Sequence, residues 1–530
     1  MQLKHFRQLR MSIFLGALLS LAVSLSYIKA EQSNSDLDRA LARIKPEWIK
    51  SHVQFLAHDL LRGRGTGDIG YEIAKEYVAA QFLHLGLKPI DKGSYFQSVD
   101  ILVGGKDLGS EVAIGSITLR SPEALFTPAW LDSRRTISGE GVYVGYGLVS
   151  ANRDDYAGID VKGKIVFILM GMPPDWPEEY DNIVLGRAKN ELPLRRGAFA
   201  VIGLQIEKGR RGGGQQKALF DGKGPARPDV IIGPEASQRL LAAWGVDLST
   251  AEKQSPTMKR AQSVGNVTIR RTHEMSQTRT WNVIGVLEGN DPALKKEAVV
   301  FVAHLDALGL GQPDNTGDSI FNGARDNAIG VGKMLAAAEA LTQLKLRRSV
   351  VFVALGSEEG GLLGSWYYVH HPVFSLSQTV AGINLDDGRT GEASEDVATF
   401  GNQFSVVLDQ MLRQAAQETE IKISSDRRPP LAPSALFSSD HYSFLVAGVP
   451  TVYLMDGYTV GGDPDLGQKE WADYVANSYH KQSDNFDQGW SFKSAAQMAK
   501  LTARLVWLLA NQDQKPKINS NAPVVLQPRF

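Results

Sequence analysis

At 530 residues the chain has room for about two to four domains and a substantial buried core. Its 57 Lys and Arg nearly cancel its 58 Asp and Glu, which removes the charge footprint of a nucleic-acid or membrane-surface binder. It has no cysteine, so disulfide scaffolding, Cys-ligated zinc and thiol nucleophiles are excluded, and any metal must rest on His and carboxylate ligands.

The N-terminus has the order of an export signal. Lys4, Arg7 and Arg10 precede an apolar run from Met11 to Ser26, and Ala30 supplies a small residue for cleavage. The run is shorter than the roughly 20 apolar residues a spanning helix needs, and nothing later in the chain resembles a span. A signal peptide over 1–30 is expected, leaving an exported protein, periplasmic or extracellular, without a stable membrane anchor. From Pro46 to Leu87 the pattern is helical, with Trp48, Val53, Leu56 and Leu60 on one stripe and Ala74, Tyr77, Val78, Phe82 and Leu85 on the next. Between them Gly65-Thr66-Gly67-Asp68-Ile69-Gly70 formally matches a dinucleotide fingerprint. That fingerprint requires a preceding strand, and a helix-like stretch precedes it here, so the segment reads as a Gly-rich interhelical turn.

From Leu119 to His273 short β-like runs such as Gly141–Tyr146 and Lys164–Met170 alternate with turn-forming stretches, and Gly209–Gly224 reads as a solvated loop. After Trp281 strands and helices alternate regularly, as in a doubly wound α/β sheet. Here several strands end in His, Asp or Glu. Glu297–Val302 runs into His304 and Asp306, Ser349–Leu355 into Glu358 and Glu359, Thr379–Leu385 into Asp386, and Pro450–Met455 into Asp456. Ligands of open α/β sheets bind beyond the carboxyl ends of the strands, and imidazole and carboxylates gathered there suit a divalent metal.

Each signal has a plainer reading beside it. His304 and Asp306 share one side of an extended segment, as a ligand and its orienting neighbour or as an ordinary hydrogen-bonded pair. Asp326 and Asn327 stand before a helix starting near Val331, where either Asp326 or Asn327 caps that helix or Asp326 bridges two metals. Glu358 and Glu359 leave their strand in different directions, so one can bind metal while the other acts as a base, and Gly360-Gly361 permits tight turning. Tyr479-His480 offers a second imidazole. His370-His371, before Pro372, reads as surface histidine. The last residues, from Gln512, read as a loose tail.

In order, "VVFVAHLDALG", "NGARDNAIGVGKMLAAAEAL", "GSEEGGLLGS", "INLDDG", "SSDHYSF" and "SYHKQSD" resemble the family of co-catalytic di-zinc aminopeptidases that includes glutamate-carboxypeptidase-like and transferrin-receptor-like proteins. "LRGRGTGDIGYEIAKEYVAAQFLHLGLKP" resembles that family's start, and "GEGVYVGYGL" followed by "DDYAGIDVKGKIVFIL" resembles the protease-associated domain often inserted in it. The resemblance implies a mixed, largely parallel α/β sheet flanked by helices. It divides the chain into 31–118 and 276–511 as peptidase, 119–275 as a β-rich insert and 512–530 as a tail.

The resemblance implies two Zn2+ per chain, with His304 and Asp386 holding one, Glu359 and His480 the other, and Asp326 bridging. It implies that Asp306 orients His304, that Glu358 is the general base and later the acid for the leaving amine, and that Tyr479 stabilises the oxyanion. The implied activity is release of N-terminal residues from peptides. A carboxypeptidase on this scaffold would need cationic groups such as Arg427 and Arg428, a glutaminyl cyclase would use one zinc, and a receptor-like protein would have lost ligands. Asp387 departs from the family by adding a charge where relatives are often apolar, whereas Asp440-His441 matches a family motif near the pocket and reads as a wall element rather than a ligand.

Overall fold

The computed structural model describes residues 34–128, 134–150, 153–173, 189–206, 217–221, 227–246, 261–424, 439–522 and 526. The expected signal peptide and Arg427 and Arg428 lie outside them, as does most of Gly209–Gly224. Among the described residues, no helix is long and apolar enough to cross a membrane.

The strands that matter, in chain order, are β1 (Phe96–Asp107), β2 (Ala124–Phe126), β3 (Arg134–Tyr143), β4 (Ile165–Leu169), β5 (Ala200–Leu204), β6 (Val230–Ile232), β7 (Gln262–Leu287), β8 (Ala298–His304), β9 (Ser349–Leu355), β10 (Thr379–Leu385), β11 (Asp396–Phe400), β12 (Lys422–Ile423) and β13 (Thr451–Asp456). They lie in the order β12-β11-β13-β10-β8-β9-β7-β3-β4-β5-β6-β2. The centre of the second half, β9-β8-β10-β13, is parallel throughout. β7 closes one side of it antiparallel to β9, and β11 the other antiparallel to β13.

The parallel strands are built from near-continuous Val, Ile, Phe and Ala because both of their faces are covered. Every residue of β8, β9 and β10 is buried. In β8, Val299, Phe301 and Ala303 join one core with helices α1 (Pro46–Leu56), α2 (Ile69–His84), α3 (Ile329–Thr342), α5 (Val406–Glu418) and α7 (Lys493–Asn511). Val300 and Val302 join the opposite core with α4 (Leu363–His370), α6 (Leu466–Asn477) and the short helix His441–Val446. The result is a three-layer sandwich with the strands' carboxyl ends aligned.

The middle of the chain has its own apolar interior. One cluster runs from Val112 to Ile269 and includes Phe167, Ile202 and Leu240; another gathers Val142, Val166, Ile168 and Val201. β7 belongs to both halves. Its first part pairs with β3, and its later part with β1 and then β9.

The helical stripes differ from the sequence expectation in one respect. In α1 the buried face is Ile49, Val53 and Leu56, while Trp48 is 38% exposed and Leu60, beyond the helix, 75%. α1 ends at Leu56 and His58 is extended, with φ −78° and ψ 140°, so Leu60 is out of register with α1; left-handed Arg62, Gly63 and Arg64 then turn the chain before α2. Gly65–Gly70 does follow a helical turn, Asp59–Arg64, rather than a strand. The tail is also less loose than expected: Leu526 is fully buried in the α4 core, and the Asn519 side chain donates to the Gln403 carbonyl at 3.1 Å.

Phe301 is fully buried, with its ring 5.8 Å from that of Phe352. Phe301→Ala should lower the unfolding free energy by about 3–5 kcal/mol, measured by denaturant titration; a loss below 1 kcal/mol (~a surface effect) would contradict the packing described.

Candidate metal centre

Beyond the ends of β8, β9 and β10, five side chains meet. His304 closes β8; its Nε2 lies 2.9 Å from Asp386 Oδ1, just past β10, and 3.1 Å from Asp326 Oδ1. His480 comes from the loop after α6, with Nε2 3.2 Å from Asp326 Oδ2 and 3.3 Å from Glu359 Oε2. Two trios result, His304–Asp326–Asp386 and Asp326–Glu359–His480. Asp326 belongs to both and turns a different oxygen to each imidazole.

These spacings bear on what the trios could hold. Zinc bonds to N and O of about 2.0–2.2 Å in tetrahedral array place neighbouring donors about 3.3 Å apart, and the four contacts fall at or slightly inside that separation. The donors are all imidazole and carboxylate, a set suited to zinc. Charge points the same way. Burial would lower the proton affinity of His304, yet Asp386, Glu358 and Asp326 around it raise it well above the usual histidine range. His480 is likewise held at about 9, against burial, by Asp326 and Glu359. Burial pushes Glu359 up to about 8, with Asp326 adding to it. The cluster demands positive charge, and the imidazoles can meet that demand only by taking protons.

The loop carrying Asp326 is held from several directions. Asp484 accepts from the amides of Arg325 at 3.0 Å and Asp326 at 3.1 Å, and the Tyr474 hydroxyl donates to it at 3.2 Å. The Asn327 side chain accepts from the amides of Gly330 at 2.9 Å and Asp387 at 3.0 Å, and donates to the Leu385 carbonyl at 3.0 Å. It therefore caps α3 and ties that cap to the end of β10, the capping task the sequence left open for Asp326 or Asn327. Arg64, fully buried, donates to the carbonyls of Leu305 (2.7 Å), Asn322 (2.7 Å) and Gly323 (3.0 Å). Of the three, only Asn327 was weighed from sequence, as a cap of α3. Each lies inside a quoted stretch ("LRGRG", "ARDNAIG", "SYHKQSD"), and a buried polar residue in a loop is the signal that marks them.

Asp306 has a different task from the one expected. The His304 ring is held at Nδ1 by the backbone carbonyl of Asp306, 3.1 Å away, while the carboxylate stands 3.8 Å off. That carboxylate accepts instead from the amides of Glu358 at 3.0 Å and Glu359 at 3.3 Å. It orients the glutamates, and the imidazole only through its backbone.

Glu358 is buried beside both trios but belongs to neither. Burial raises its carboxyl well above the usual range, with Asp386, Glu359 and Asp440 adding to the effect. The Tyr479 ring stacks on His480 at 3.9 Å, and burial followed by the charges of Asp326, Glu359 and Glu358 keeps its hydroxyl protonated. A cleft of about 190 Å³ opens here, lined by Leu308, Phe321, Asp326, Glu359 and His480. Asp387 is buried near Arg325, 3.6 Å away, and burial pushes its carboxyl up, so the extra charge is blunted. Asp440 is buried at the start of His441–Val446, with its carboxyl pushed up to about 7 by burial. The His441 ring stacks on Tyr453, whose hydroxyl donates to the Asp386 carbonyl at 3.2 Å. Asp456 takes no part in the trios; it meets Lys333 at 3.5 Å and the Arg389 amide at 3.0 Å. His370 and His371 are exposed at the end of α4.

The sequence model of peptidase family M28 matches residues 282–506, a stretch that holds both trios and Glu358. Aminopeptidase YwaD of Bacillus subtilis (strain 168) is 29% identical over 252 residues, which are 46% of this chain and 47% of that protein. The chain thus spans about half the length of the curated relatives it matches. Among solved structures, the aminopeptidase from Aneurinibacillus sp. strain AM-1 shares 18% identity at a TM-score of 0.47, over 93% of this chain and 100% of that one. A zinc aminopeptidase from Bacillus subtilis shares 18% at 0.45, over 91% and 98%. Residues 282–506 therefore belong to peptidase family M28.

Proposed function

We propose that the protein is an exported metallo-aminopeptidase that binds two zinc ions and hydrolyses the N-terminal peptide bond of peptides. The observation that carries this reading is the pair of trios sharing Asp326, with the uncommitted Glu358 beside them. The matched relatives are named aminopeptidases. Export rests on the charged and apolar order of residues 1–30. We assign the β-rich stretch 119–275 as a protease-associated domain beside the peptidase.

In this reading His304 and Asp386 would hold one ion, Glu359 and His480 the other, and Asp326 would serve both. When bound, zinc supplies Lewis-acid polarisation of the peptide carbonyl and lowers the pKa of water from about 15.7 to about 7. Glu358 accepts the proton of the attacking water and returns it to the leaving amine, a task suited to a carboxyl that burial raises well above its usual range. Asp306 keeps Glu358 and Glu359 in place by binding their amides. Tyr479, protonated and next to His480, donates to the oxyanion that forms as the carbonyl carbon becomes tetrahedral. A one-zinc cyclase would leave the second Asp326 oxygen and His480 without purpose, so two ions are favoured.

Purified protein should contain two zinc ions per chain by elemental analysis and release N-terminal residues from free-amine peptides but not from N-blocked ones. Release from the carboxyl end alone would overturn the aminopeptidase assignment. Glu358→Ala should retain the zinc while turnover falls by about 10²–10⁴-fold; undiminished turnover would remove Glu358 from its role. Asp306→Ala should cost about 10–100-fold in activity or zinc affinity, read by kinetics and competitive chelation, and wild-type values in both would show that the two amide contacts are dispensable.

A further inference from the structure

The loop from Ser357 to Leu362 is folded more tightly than its sequence would adopt alone. Ser357, Gly361 and Leu362 all have positive φ, at 58°, 109° and 63°, and the Glu358 carbonyl accepts from the amides of Gly361 at 2.7 Å and Leu362 at 2.8 Å. Non-glycine residues in this region persist when their surroundings over-determine them. Three restraints come from the peptidase half. Asp306 binds the two glutamate amides, Asn282 accepts from the Gly356 amide at 3.2 Å, and a Cβ on Gly356 would meet Thr280 and Tyr71 at 2.5 Å.

The fourth restraint comes from the middle of the chain. Arg227 Nη2 donates to the Gly360 carbonyl at 3.3 Å. Its guanidinium fills the space a side chain on Gly361 would need, since a Cβ there would stand 1.8 Å from Nη2. Lys217 lays its stem against the same turn, its Cδ 3.3 Å from where a Cβ on Gly360 would be. Both are rooted in well-packed backbone. Arg227 lies just ahead of β6, whose neighbour Asp229 accepts from Arg271 at 2.6 Å and the Val201 amide at 2.9 Å. Lys217 opens a strand, Lys217–Leu219, paired with β1, whose Leu219 is buried in the α4 core.

We propose that Arg227 is a positioning residue for Glu358, a contribution of the middle region to the catalytic turn. By pinning the Gly360 carbonyl it keeps the tight turn closed and so fixes the direction in which Glu358 leaves β9. The inference rests on the reading of Glu358 as general base, and concerns a residue outside the M28 match.

The test compares full-length zinc-loaded wild type with Arg227→Met, which keeps the stem and removes the donors, and Arg227→Lys, which keeps one donor. A displaced reacting group costs up to about 100-fold in rate. For Arg227→Met, kcat should fall by about ten- to hundredfold, with KM, zinc content and melting temperature unchanged, and Arg227→Lys should recover part of the loss. Added to Glu358→Ala, Arg227→Met should not reduce the residual turnover further. Wild-type kcat in Arg227→Met, a loss confined to KM, or an undiminished effect in the Glu358→Ala background would each overturn the positioning role. If Glu358→Ala alone kept full activity, the base reading itself would fail, an outcome distinct from an inert Arg227→Met beside an inactive Glu358→Ala.

Discussion

A single carboxylate shared between two imidazoles organises this molecule. Asp326 is buried, and its two oxygens point at His304 and His480, residues separated in sequence by most of the sheet. Burying one unpaired charge costs several kcal/mol (~the effective penalty per ion), and the site gathers carboxylates from four segments of chain. Such a concentration is tolerable only where cations and aligned amides answer it. The surrounding architecture does this with Arg64 gathering loop carbonyls, Asp484 gathering loop amides, and Asn327 tying the start of α3 to the end of β10. The three-layer sandwich makes those arrangements rigid because the strands that deliver His304, Glu358 and Asp386 are buried on both faces.

Much of this was legible in the sequence, and the reason is physical. Strands covered on both sides need continuous apolar, β-branched runs, so β8, β9 and β10 announce themselves, and the acids at their ends stand out against that background. Asp326 and His480 lie on loops and could be paired with the strand-end residues only through the resemblance to a known family. The supporting polar residues were not legible individually. Asn327, Asp484 and Arg64 act on backbone groups, and nothing in a side chain's identity tells which distant amide or carbonyl it will meet. Asp306 illustrates the limit: alternation put it on the side of His304, but its carboxylate serves the glutamates because their amides converge on it from the next strand. The stripe drawn through Trp48 and Leu60 failed because Trp48 lies off the buried Ile49–Val53–Leu56 face and α1 ends before extended His58, which breaks the helical period ahead of Leu60.

The two faces of the sheet are unequal in what they do for the site. The face with α1, α3 and α7 supplies the Asp326 loop and the Arg64 segment beneath it. The opposite face, with α4, α6 and His441–Val446, supplies Tyr479, His480 and the wall around Tyr453. The two trios thus sit where two separately packed cores meet: one face supplies Asp326, the other His480, and the ends of the strands between them supply His304, Glu359 and Asp386.

The strand β7 has a bearing on modularity. It runs for 26 residues without a break between the two halves, pairing with β3 at one end and with β1 and β9 at the other. The exit from the middle region at 275 therefore falls inside a strand and not in a loop, so the region is not a cassette on free linkers. Any truncation that removed β7 would strip β9 of an antiparallel neighbour and leave an apolar strand edge open to pairing with other chains. A chimera that respected the fold would have to splice within the ladder itself, keeping Val283–Leu287 with the peptidase and grafting only what lies before it.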